Sequence, residues 1–393
     1  MTTVRGKPKR KSKSSRTPFS LLSVFPDYRK HSYAKKVESI NVKSIADLRE
    51  VYLRSGLVLY VGAGVSQSVL FPGWKELIQR LTVTMMTRRV LSAAMVDKQV
   101  VNDQYFETIQ HIQEDIEEGA ERDKPVLAMA RALKDELGKD MHYIIARTLY
   151  PQRVRFFMHR QNKLSMGKRR KPRRGMPIST LTLPSSSFLD KIVALSRPER
   201  DVHGVQAIVN YNYDNLLEEK LREQNVRCIT VRSGKDKIPP RALPSYHVHG
   251  VLPLRCLNKP SHYSKPGTVG NFVFSEDEYH AEYADPYRWS NMTQVSQLGR
   301  STGLFLGLSM EDPNIRRLID VTHRQYPETK NYAIVTRKVS LRRSSDSKAC
   351  VLRNLFEDVE ARSFLKIGVQ VIWADSHDEV PTMIEKIYNP ESA

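Results

Sequence analysis

Two rhythms of apolar and polar positions alternate along this chain. Compact apolar runs of four or five residues, many of them β-branched or aromatic, occupy 57–61, 205–209, 227–231, 304–307, 332–335 and 369–373. A shorter alternating run occupies 246–249. Runs of that length, closed by Gly or Asn, predict strands buried on both faces. Between them, apolar residues recur every three or four positions over 44–54, 74–90, 188–195, 215–223, 276–298, 313–324, 349–365 and 377–388, which predicts helices. In the second of these, Trp74, Leu77, Ile78, Leu81 and Met85 share one face. Strand alternating with helix predicts the α/β class: a Rossmann-like parallel sheet with right-handed crossovers and helices on both faces. Mixed charged and apolar residues over about 95–150 contain no strand run and predict a helical insertion into that core. Residues 251–271, rich in Pro, Gly and Ser, predict loop.

Charge adds two segments to this picture. The chain has 393 residues and a formal net charge of +20. Seven Lys and Arg residues lie within 1–16 and ten within 151–175, with no acid in either, so the rest of the chain is nearly balanced. Such blocks are solvated tails or interaction arms, and nucleic acid is one partner they could serve. The expected organisation is therefore a basic flexible N-terminal arm over 1–40, then the α/β domain over 41–393 interrupted by the insertion and by a basic linker at 151–175. Cys228, Cys256 and Cys350 are widely spaced, which indicates neither a zinc ribbon nor a disulfide framework and fits a reducing, cytoplasmic setting. No apolar run approaches the ~20 residues of a membrane span, and no secretory signal is expected.

The candidate chemistry sits at strand ends, where open α/β sheets place their ligand groups. Gly62-Ala63-Gly64-Val65-Ser66 follows the first run. Its glycines allow a tight turn and a close backbone approach to phosphate, although an ordinary βα turn reads the same way. The dehydrogenase pattern would need a third Gly where Gln67 stands, so a hydride-transfer site is not indicated. Asn212-Tyr213-Asp214 follows the second run; Asn can hold a water or a ribose hydroxyl, and Asn and Asp are also common helix caps. His249 precedes Gly250 and can accept a proton near neutral pH, or serve the fold alone; His247 is expected on the same strand face. Gly307-Leu308-Ser309 ends another run, with Asp312 as a candidate cap beyond it. Trp74 reads as core packing, and Tyr279, Tyr283 and Tyr287 as one helix face.

In this order the four segments resemble the sirtuin superfamily, whose members carry a Gly-Ala-Gly-x-Ser loop, an Asn-x-Asp segment, a His-Gly and a Gly-x-Ser strand end. The following Leu216-Leu217-Glu218, together with Gly73-Trp74-Lys75-Glu76-Leu77 and Asp312-Pro313-Asn314, is similar to a prokaryotic sirtuin-like branch associated with NAD hydrolysis in anti-phage defence. Protein-deacylating sirtuins hold a four-cysteine zinc ribbon between the His-Gly and Gly-x-Ser motifs. Here that interval contains only Cys256, so the helical insertion stands in place of the zinc module and no metal is expected.

The resemblance implies that NAD is a substrate and that its nicotinamide–ribose bond is cleaved to nicotinamide and ADP-ribose. It implies catalytic roles for Asn212 and His249, pyrophosphate contacts from Gly62, Ala63, Gly64 and Ser66, a ribose or orienting contact from Asp214, and an adenosine-side contact from Gly307 and Ser309. It further implies a defence effector gated by assembly or infection, a homo-oligomer, and a partner ATPase, Argonaute or other sensor protein. Two alternatives stand beside it: a zinc-free NAD-dependent deacylase or ADP-ribosyltransferase, and a nucleotide-sensing or nucleic-acid-binding module without turnover.

Overall fold

The computed structural model describes residues 30–96, 126–151, 154, 183–199, 201–337 and 347–389. The basic segment 1–16 lies outside the described residues, as do 97–125 of the expected insertion and, apart from Pro151 and Val154, the basic linker 151–175.

Helix α1 (Lys30–Arg54) leads into strand β1 (Leu57–Val61), a one-turn helix α2 (Ala63–Gln67) and α3 (Trp74–Val96). Helices α4 (Val126–Leu137) and α5 (Met141–Leu149) follow, then α6 (Ser187–Leu195), β2 (Val205–Asn210), α7 (Leu216–Glu223), β3 (Cys228–Val231) and β4 (Leu243–His247). The chain continues through a single 3-10 turn, a four-residue helix α8 (Pro260–Tyr263), α9 (Glu276–Ala284), α10 (Trp289–Arg300) and β5 (Thr302–Leu306). It closes with α11 (Pro313–Gln325), β6 (Asn331–Thr336), α12 (Ser347–Leu365), β7 (Val369–Ala374) and α13 (Val380–Tyr388).

The seven strands form one sheet in the order β3-β4-β2-β1-β5-β6-β7, and every pairing is parallel. This is the Rossmann-like α/β architecture expected from the alternation. Its strands alternate their side chains between two cores. Leu57, Leu59, Val61, Ile208, Leu304 and Leu306 pack on one side, and Val58, Tyr60, Val209, Phe305, Ala333 and Val371 on the other. Both faces are therefore covered, which is why the runs read as continuously apolar.

Four local expectations are corrected. Residues 30–40, expected in the flexible arm, are the opening turns of α1, so the helix predicted over 44–54 begins at Lys30. The reason is docking: Val37 is buried, and the Asn41 carboxamide bonds both ways with the backbone of edge strand β7, donating to the Trp373 carbonyl at 2.8 Å and accepting from its N–H at 3.0 Å. The stretch 276–298 is two helices, not one, broken at Asp285-Pro286, because a residue before proline resists the helical conformation. The loop 251–271 contains the 3-10 turn and α8. Strand β4 ends at His247, so His249 lies beyond it and the two imidazoles do not share a strand face.

β1 lies between β2 and β5, so the chain leaves it toward both halves of the sheet, and the turns after β1 and β5 meet at that point. They meet backbone to backbone. Gly62 N–H donates to the Leu306 carbonyl at 3.0 Å, and Gly64 N–H to the Gly307 carbonyl at 2.9 Å. A Cβ on Gly64 would stand 2.9 Å from the Gly307 Cα, and one on Gly307, whose φ is +64°, would stand 2.7 Å from the Val65 nitrogen. Gly307→Ala combines a disfavoured backbone angle with that overlap. We expect it to destabilise the protein by about 1–3 kcal/mol in chemical denaturation, and unchanged stability would show that the two turns are not in contact.

Candidate functional site

At the carboxyl ends of β1, β2 and β4 a cavity of about 110 Å³ is lined by Ala63, Ser66, Pro72, Trp74, Leu77, Leu149, Tyr211, Asn212, Tyr213, Asp214, His249 and Tyr279. Five sequence-expected site residues therefore converge: Ala63, Ser66, Asn212, Asp214 and His249. The other four do not line it. Gly62 and Gly64 spend their amides on the β5 turn, so their glycine identity answers to that backbone contact. Gly307 forms the contact from the other side, and Ser309 is exposed, its hydroxyl accepting from the Glu311 N–H at 3.4 Å.

Asn212 is the hub. Its carboxamide Nδ2 donates to the Gly62 carbonyl at 3.0 Å and toward the Ser66 hydroxyl at 3.3 Å. The Ser66 hydroxyl in turn favours the ionised Asp214 carboxyl. Asp214 Oδ1 also accepts from the Leu216 N–H at 3.0 Å, so it satisfies an orphan donor at the start of α7 while lining the cavity. The cap position itself is Asn215, so Asp214 bonds the first turn of α7 from one residue ahead of it.

Burial dominates the electrostatics. It pushes the Asp214 carboxyl up to about 6, against the pull of the Leu216 amide and the Ser66 hydroxyl. It pushes the His249 imidazole down, with the nearby carboxylates of Asp312 and Glu282 opposing. His249 is 7 % exposed. Its ring meets Tyr211 and Tyr279 edge-on, with centroids 5.3 and 5.8 Å away. Asp312 caps α11, accepting from the Asn314 and Ile315 amides at 2.8 and 3.1 Å, as the sequence indicated.

The roof was not read as a site from the sequence. Trp74 packs edge-on against Tyr213 and Phe274, at 6.0 and 5.3 Å between centroids, and it lines the cavity as well as the core. Tyr279 also faces the cavity, whereas Tyr283 and Tyr287 are exposed and Tyr287 lies past the end of α9. The Tyr211 hydroxyl is fixed by Gln294 at 2.7 Å, and that of Tyr213 by the Val273 carbonyl at 2.5 Å. Ring identity at these positions could be seen in the sequence; which rings turn inward could not.

Residues 206–359 match the family model of the SIR2-like domain. That stretch is thus similar to the SIR2-like domain, a family whose members are NAD-dependent enzymes that bind NAD. The matched stretch contains Asn212, Asp214, His249, Gly307 and Ser309, while Gly62 to Ser66 lie ahead of it. No curated protein matches the chain. Among the described residues no group of three His, Cys, Asp or Glu side chains could hold a metal ion, and no helix is long and apolar enough to cross a membrane.

The raised Asp214 value has a sign that can be checked. An acid with a higher pKa when folded binds more protons folded than unfolded between about 4 and 6, so its contribution to stability falls as pH rises through that window. Asn can keep the bond to the Leu216 amide without the buried charge. Asp214→Asn should therefore gain stability over the native chain at pH 8, by up to about 3 kcal/mol, and lose that gain below pH 4. A pH-independent difference in denaturation midpoints would refute the assignment.

Proposed function

We propose that the protein is an NAD glycohydrolase that cleaves the nicotinamide–ribose bond. The observation that carries this reading is the convergence of Asn212, Asp214 and His249, all inside the stretch similar to the SIR2-like domain, on one ring-lined cavity. At about 110 Å³ the cavity is smaller than the ~300 Å³ at which ordinary small-molecule sites begin. It suits a single ring, and the remainder of NAD would lie outside its mouth.

The chemistry asks little of a general acid. Nicotinamide leaves as a neutral molecule from a cationic glycoside, so what must be supplied is a placed water and a surrounding that favours an oxocarbenium-like transition state. Asn212 is fixed at its Nδ2 end, which leaves its Oδ1 to orient a water or a ribose hydroxyl. Desolvation keeps the His249 imidazole neutral and able to accept a proton, and Asp312 and Glu282 favour the cation that results. Above pH 6, Asp214 adds a negative charge beside the cavity, which favours the cationic transition state.

Incubation with NAD should release nicotinamide and free ADP-ribose. Asn212→Ala and His249→Ala should each lower kcat by about 10²–10⁴-fold with folding retained. Native turnover in both variants would end the assignment. ADP-ribose recovered on protein, or on an acyl group, would instead identify transfer or deacylation in the same cavity.

A further inference from the structure

Behind the cavity lies a second cluster that the proposed reaction does not use. His247, Glu218 and Ser245 are fully buried, and Asn210 is 1 % exposed. Asn210 and His247 face each other across the β2–β4 ladder. Glu218 reaches under both from α7. Its Oε1 accepts from His247 Nε2 at 2.7 Å, from the Ser245 hydroxyl at 2.5 Å and from Asn210 Nδ2 at 3.1 Å. The other ends of two of these groups grip one residue. Asn210 Oδ1 accepts from the Asn212 N–H at 2.9 Å, and His247 Nδ1 meets the Asn212 carbonyl at 3.0 Å. The bonds close a ring that runs from the Asn212 amide through Asn210, Glu218 and His247 to the Asn212 carbonyl.

Donor counting fixes where the hydrogens are. The Asn212 carbonyl can only accept, so His247 Nδ1 carries hydrogen. Glu218 Oε1 also receives hydrogens from Ser245 and Asn210, which favours the carboxylate there and a hydrogen on His247 Nε2. The Glu218 carboxyl agrees: burial pushes it up, yet the His247 charge and hydrogen bond, with the Ser245 hydroxyl, outweigh that and hold it at about 2. Among the described residues Asp214, Tyr150 and the Cys228 thiol also feel this cluster; Asp214 senses both charges, and Glu218 adds to the upward push on the phenol and the thiol.

We propose that His247 is a positioning residue: held as an imidazolium by Glu218, it clamps the backbone of Asn212 together with Asn210 and so keeps the Asn212 carboxamide aimed across the cavity. This rests on the hydrolysis reading for its purpose, but not for its geometry. A side chain that must hold a water gains from a backbone unable to rotate, and a displacement of 1 Å costs about 10²-fold in rate. A buried ion pair is a costly way to stabilise a fold. Here it is aimed at the two peptide groups of the residue assigned to catalysis.

The test uses the full chain. In protein labelled with ¹⁵N-histidine at pH 7.5, the signal lost in His247→Gln should report two protonated ring nitrogens, where exposed imidazoles report one. Hydrogen exchange at the Asn212 amide should be slow in the native chain and faster by at least about tenfold in His247→Gln and Glu218→Gln. With NAD, each variant should lower kcat per NAD-binding molecule by about 10²-fold while KM moves less than about threefold. The double variant should be no worse than the worse single one. A singly protonated ring, or unchanged Asn212 exchange, overturns the clamp. Unchanged kcat in both variants overturns its catalytic purpose. A native chain silent toward NAD would count against hydrolysis alone, because the ring signal and the exchange rates still decide the clamp.

Discussion

The hydrogen bond from Asn212 Nδ2 to the Gly62 carbonyl is the contact on which the site depends. Gly62 ends β1 and is claimed from two directions. Its N–H belongs to the β5 turn and its carbonyl to the β2 turn. No side chain could stand there, since a Cβ would fall 2.4 Å from the Leu308 side chain. Three strand ends are thereby fixed relative to one another through a single residue. The third requirement, a histidine over the same spot, follows from β4 lying next to β2 and from the tight turn that carries the chain from His247 past His249. A small error at Gly62 would spread to every group that lines the cavity.

Two carboxylates four residues apart show how far local partners divide identical chemistry. Asp214 and Glu218 are both buried at the start of α7. Asp214 meets only neutral donors and rises to about 6; Glu218 meets an imidazole and a hydroxyl and falls to about 2. Desolvation is the largest influence on each, so the difference lies in what answers it. Groups pushed apart in this way take separate duties. Under the proposed clamp, Glu218 holds backbone in place, while the Asp214 charge varies with pH near 6.

Much of the architecture was legible because strands covered on both faces leave unbroken apolar runs, and the seven runs read from the chain are the seven strands. The polar groups at their carboxyl ends were legible for the same reason. What escaped the sequence depends on distant pairing. His247 and Glu218 are 29 residues apart, and nothing local distinguishes that histidine from His249 two positions on. Trp74 and Tyr279 belong to helical faces whose spacing says only that they are buried. The early start of α1 has weak periodicity because its docking relies on the Asn41 amide, not on a continuous apolar stripe. The break at Asp285-Pro286 was readable from proline chemistry, yet the aromatic spacing around it favoured one long helix.

The roof also explains why the two ends of the cavity are tuned together. Trp74 and Leu77 stand in the first turn of α3, and Leu149 ends α5, two helices that come before and after residues 97–125 with α4 between those residues and α5. These apolar groups contribute to the desolvation that raises Asp214 and lowers His249. Drawing them away would admit water, and both groups would move toward their ordinary values in opposite directions. Asp214 would then ionise more readily, and His249 would become the stronger base and accept a proton more readily. The position of two helices, far apart in sequence from Asn212 and His249, therefore sets how basic the imidazole is. Under the hydrolysis reading, a shift in the hydrophobic cover alone would retune both groups without any change in the polar groups themselves.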